Sequence, residues 1–131
     1  MSSDVSTLTL TIANGAALSD AARVRYLDVV GLVLPGAWTA AGIGFAVSYD
    51  NGTTYVYVRR PEVHTANAPL PLKVLEILAA DVPTAESVFI PLQPEWFAGA
   101  THLKVRSQTA NVAVNQGAAR SVLIVTRDRG V

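Results

Sequence analysis

Threonine and an aliphatic residue alternate without a break in "TLTLTIA", from Thr7 to Ile12. Leu8, Leu10 and Ile12 point one way, and Thr7, Thr9 and Thr11 the other. Period two in β-branched residues defines a strand with one face buried. The same pattern returns near the other end, in "HLKVRS", where Leu103 and Val105 alternate with His102, Lys104 and Arg106. A chain with this rhythm at both ends must bury one face of a sheet against something.

Between these segments the chain keeps supplying ribbons. "VRYLDVVGLVLP", Val24 to Pro35, is apolar on both faces near its end. It predicts a central strand covered on two sides and stopped by Pro35 and Gly36, with Gly31 marking a bulge. "FAVSYDNGTTYVYVRR" predicts a hairpin. Asp50, Asn51 and Gly52 tolerate the positive φ of a tight tip, and Tyr55 to Val58 form the return strand. "KVLEILAAD" fits a helical turn or a strand. Pro71 and Pro83 limit its length, which favours a strand. "ESVFIPL" is another short strand, and "QPEWFAGA" one helical turn between Pro94 and Gly99. "SVLIVTR" closes the chain, apolar on both faces.

This pattern predicts an all-β chain, an antiparallel β-sandwich of jelly-roll type with about eight strands, as one domain over residues 1–131. The expected core is Leu8, Leu10, Ile12, Val30, Leu32, Phe45, Val47, Leu103, Val105 and Ile124. Trp38 and Trp96, in connections, are expected to close its two ends. Half of the residues are hydrophobic, enough for a real core with apolar surface left for a partner.

Composition also limits function. Ten basic residues balance ten acidic ones, so no strong field draws the chain to nucleic acid or to a membrane surface. No cysteine is present, which excludes disulfides and thiolate chemistry. His64 and His102 are isolated and lack any metal-ligand spacing. No G-x-S-x-G occurs, and no pair of acids points to a shared cleft. Neither an enzyme nor a cofactor is expected. The N-terminal stretch lacks a basic segment followed by an apolar one, and no apolar run is long enough to span a membrane. Synthesis in a cytoplasm is therefore expected. Asn51-Gly52-Thr53 matches a glycosylation acceptor, but it serves as a turn.

The aromatic residues offer the candidate binding surface. Tyr49, Tyr55 and Tyr57 surround one hairpin. Exposed, such rings stack on sugars; paired across strands, they are structural. The proline-rich segment Arg60 to Leu72 has no period and no core role. Arg60, Glu62 and His64 in it, with Tyr55 and Tyr57, are the expected partner-binding residues.

"LVLPGAWTAAGIGFAVSYDNGTTY" and "WFAGATHLKVRSQTANVAVNQGAARSVLIVTR" together resemble small structural proteins encoded among the virion genes of tailed bacteriophages and prophages. The shared elements are Pro35 to Trp38, the hairpin Phe45 to Tyr55, the strand Phe97 to Ser107, Val114 to Arg120 and the strand Ser121 to Arg127. Asn51 stands where glycine is common in that group. The resemblance covers about two-thirds of the chain. It implies a virion component, first of all a capsid decoration or cement protein on the outer capsid surface. Its partners would be the major capsid protein and further copies of itself, as a dimer or trimer. A tail, baseplate or head-fibre component that binds carbohydrate on the host is the alternative.

Overall fold

The computed structural model describes residues 5–61 and 72–128. Two antiparallel sheets share one core. The first holds β1 (Val5–Ile12), β12 (Arg120–Asp128), β3 (Leu27–Leu34) and β9 (Val88–Pro91), in that order. The second runs β11 (Val112–Ala113), β10 (His102–Thr109), β4 (Gly42–Ser48), β5 (Val56–Tyr57). The short β2 (Ala22–Arg23) joins β10, and β8 (Glu76–Ile77) joins β4. A small ribbon pairs β6 (Arg59–Pro61) with β7 (Leu72–Val74). The fold is thus the antiparallel β-sandwich expected from the alternation. It has more and shorter strands than expected, because turns divide the longer ribbons. The run from Val24 to Pro35, for example, starts as a strand only after a turn at Tyr26.

The first and last strands pair along their whole lengths, from Val5 opposite Arg127 to Ile12 opposite Arg120. Consecutive strands β3 and β4 lie in different sheets. Each such crossing gives a ribbon one face for the core. Leu10, Ile12, Leu32, Leu34, Val122 and Ile124 come from the first sheet. Ile43, Phe45, Val47, Leu103 and Val105 face them from the second. Burying a side chain of this kind contributes about 1.5–3 kcal/mol. Trp38 is buried, with its indole N–H donated to the Ala41 carbonyl, and Trp96 packs edge-on against Phe97 at 6.2 Å. Phe97 in turn meets the Phe45 ring edge-on at 5.2 Å.

One member of the expected core is displaced. Val30 is only half-buried, and Val29 takes its place inside. The register explains why. Val125 faces Gly31 but Thr126 faces Val29, so Val30 is an extra residue on β3. The bulge expected near Gly31 therefore sits beside it and reverses the inward phase of everything before it. Leu8, at the frayed end of the core, is partly buried. The remaining eight expected residues are buried.

Candidate functional site

The hairpin after β4 is built by side chains bonding to backbone. Ser48 Oγ donates to Asp50 Oδ1 at 2.7 Å and accepts the Gly52 N–H at 2.8 Å. Asp50 Oδ1 also accepts the Thr54 N–H at 2.8 Å. These bonds to the charged carboxylate, that from Ser48 foremost, hold the Asp50 pKa down at about 2. Asn51 and Gly52 take φ of 60° and 89°. Asparagine and glycine are the residues that most readily take that left-handed geometry. The tip is wider than a two-residue turn, and the return strand is only Val56–Tyr57.

The segment before the last strand is equally structural. Buried Gln116 accepts the Thr39 N–H and the Arg120 Nε–H on its carbonyl. Its amide donates to the Thr39 carbonyl and to Ser107 Oγ. Arg120 also donates to Thr39 Oγ1. So the "VNQGAAR" segment clamps the loop that follows Trp38, and every hydrogen-bonding atom of that amide finds a partner.

Tyr55 and Tyr57 of the hairpin lie on the outer face of the second sheet. Lys104 stacks on Tyr55 at 4.4 Å and Arg106 on Tyr57 at 4.7 Å. Burial raises the Tyr55 phenol above its usual pKa, and the Asp50 charge adds to that. Beneath these side chains, β4 presents Gly42, Gly44, Ala46 and Ser48, all buried. Gln108 lies over Gly44 so closely that a Cβ there would overlap its amide. The Gln108 amide donates to Glu76 Oε1 at 2.7 Å. Glu76 also accepts the N–H groups of Ala110 and Asn111, the two positive-φ residues of the β10–β11 turn. This face is a closed mesh in which long side chains of β10, β5 and β8 cover the small residues of β4.

Of the expected partner-binding residues, Tyr55 and Tyr57 belong to this mesh. Arg60 lies on β6 opposite Lys73. Glu62 and His64 lie outside the described residues. Among the described residues no group of three His, Cys, Asp or Glu side chains is placed to hold a metal. No helix of the described residues is long and apolar enough to cross a membrane.

The outer face of the first sheet differs. Opposite-strand register places Val33 beside Leu123, Phe89 beside Val33, and Thr7 beside Val125. Leu123, Val125 and Val33 are half-buried, and Phe89 is 52% exposed. The sequence predicted the run that ends at Pro35 to be covered on both sides, but among the described residues no element lies across this face. At its border, β1 is an edge strand of eight residues without proline or charge. Thr11 spends its outward backbone groups on Asp20, donating to Oδ1 and accepting from its N–H. Strand alternation turns the backbone groups of Thr9, Thr7 and Val5 the same way, off the edge. The opposite border is blunt, since β9 has four residues and ends in Pro91.

A third feature was not expected from sequence. At one end of the sandwich, Arg25, Tyr26, Tyr49, Asn51, Gly99 and Thr101 line an open depression of about 300 Å³. Thr101 fastens its walls. It bonds Ser48 through both N–H and hydroxyl, accepts the Asn51 N–H, and takes the Val24 N–H on its carbonyl.

No family model, no curated protein and no solved structure matches this chain.

Proposed function

We propose that the chain is a bacteriophage virion structural protein, a decoration or cement subunit that binds the outer surface of the capsid. The observation that carries this reading is the uncovered apolar face of the first sheet, continued by the open edge of β1. Exposed apolar patches of this kind mark interaction sites, and a long unprotected edge strand pairs with another chain unless something blocks it. The resemblance in the hairpin and in the C-terminal strands supplies the class of partner, the major capsid protein. Val33, Phe89, Leu123 and Val125 would form the apolar centre of the contact, and Thr7 and Thr9 its border. Strand addition at β1 would link neighbouring copies or a capsid segment, and many identical weak contacts sum over a shell.

Empty heads made without the protein test this. Purified protein is expected to sediment with such heads and to raise their resistance to heat. Leu123→Arg should leave the protein folded but in the supernatant. If wild-type protein fails to join the heads, or is found on tails, the capsid reading falls and the tail-component reading replaces it.

A further inference from the structure

Val24 to Leu27 form a tight turn closed by the Leu27 N–H on the Val24 carbonyl at 3.0 Å. Of its two central residues only Tyr26 has positive φ, at 67°. That is the pattern of a type II turn, whose third position normally takes glycine or asparagine. A tyrosine there carries backbone strain. Packing does not offset it, because Tyr26 is 66% exposed. The Arg25 guanidinium lies over its ring, 4.9 Å from the centroid. Tyr49, 57% exposed, also lines the depression. Small residues, Gly99 and Ala100, line it as well, and a Cβ on Gly99 would sit 3.6 Å from the Tyr49 ring. Asn51 and Arg25 bring hydrogen-bonding side chains to the rim.

We infer that this depression is a saccharide-binding site. A pyranose ring has one apolar C–H face and a rim of hydroxyls. Exposed tyrosine rings meet the first, and the Asn51 amide and the Arg25 guanidinium meet the second. A shallow, open shape suits one or two sugar units and gives little enclosure to an apolar ligand. The Thr101 bonds to Ser48, Asn51 and Val24 hold both tyrosine-bearing loops in place before any ligand arrives, so little ordering is lost on binding. The site stands on different residues from the apolar face and does not depend on the capsid reading.

The labelled full-length protein is applied to an array of neutral and carboxylate-bearing oligosaccharides, and the best retained one is titrated by calorimetry. Tyr26→Ala and Tyr49→Ala should each weaken binding at least tenfold with little change in melting temperature. Leu78→Ser, on exposed surface elsewhere, should bind as wild type does. Tyr26→Gly is the sharpest variant: it should melt at a higher temperature and lose the sugar. Retention of no oligosaccharide would overturn the inference. So would full binding by both tyrosine variants with loss only in Arg25→Ala, which would mean simple anion attraction. A lower melting temperature for Tyr26→Gly would show that the ring serves the fold, and the inference would fall with it.

Discussion

The two outer faces of the sandwich are finished in opposite ways. On the second sheet, Gly44 and Ala46 lie beneath Gln108, Lys104, Arg106 and the tyrosines, and Glu76 ties that cover to the next turn. On the first sheet, Leu123, Val125, Val33 and Phe89 stand side by side, and among the described residues nothing of comparable reach lies above them. Both faces flank the same core, so folding alone does not explain the contrast. A face that covers its own small residues and ties most of that cover together, with Gln108 Oε1 alone left unbonded among its buried side-chain atoms in the described residues, has little need of a partner. A face that leaves branched apolar side chains half in water gains by acquiring one.

Glycines break the comparison most strongly. Gly44 lies under the Gln108 amide and Gly31 under the Phe89 ring, each too close for a Cβ. Gln108 is fully buried and bonded to Glu76, whereas Phe89 is exposed and free to swing aside. Gly44→Ala should therefore cost about 2 kcal/mol, from crowding and a strained charge-assisted bond. Gly31→Ala should cost less than about 1 kcal/mol. Denaturant midpoints of the two variants check this. Equal losses would mean that both faces are equally closed.

One substitution on each face sharpens the contrast from the side of binding. Leu123→Arg should weaken association with heads by about 2 kcal/mol, the loss expected on disrupting an interface hot spot. It should change the stability of the free subunit by only about 0.5 kcal/mol, the usual range for surface substitutions. Tyr57→Ala should do the reverse. It removes a stacked Arg106, costs the fold about 0.5–1 kcal/mol, and leaves association with heads unchanged. Sedimentation with heads and thermal melting, run on both variants, separate the two faces. If Tyr57→Ala also abolishes association, the polar face is part of the contact.

How much of this was legible depended on how local each signal is. Alternation in Thr7 to Ile12 and in His102 to Arg106 gave strands and their inward residues, because the side chain's direction is set by its own backbone. Pro94, Gly99 and the Asp50–Gly52 tip were legible for the same reason. Val30 was misplaced because a bulge depends on the facing strand, and Val125 and Thr126 lie far away in the chain. The small residues of β4 read as half of an alternating strand. Their cover of Gln108, Lys104 and Arg106 depends on which strand pairs with β4. The Tyr26 turn was invisible, since tyrosine carries no propensity for positive φ. The apolar run in β12 was legible as two-sided; that its second side is uncovered needed the sheet order.

The smallest expected effect lies at the tip beyond β4, where the polar sheet is held by a charge. Asp50 ionises near pH 2 in the folded chain, against an ordinary value of 3.8. A carboxyl whose folded pKa is lowered stabilises the fold fully above its unfolded value. That contribution declines as pH falls from about 4 and is gone below about 2. Protonation weakens the bonds Asp50 accepts from Ser48 Oγ and the Thr54 N–H, so the tip should loosen in acid before the sheets do. Amide exchange, corrected for its intrinsic pH dependence, should lose protection at Thr54 and Gly52 between pH 4 and pH 2. Amides of Leu32 and Ile124, paired in the middle of the first sheet, should keep theirs through the same range. In Asp50→Asn the tip should already be less protected at pH 6 and insensitive to acid. If Thr54 in the wild type stays as protected at pH 2 as at pH 6, the carboxylate does not hold the tip. The tip would then rest on its neutral hydrogen bonds, and the charge that serves the polar sheet would be that of Glu76.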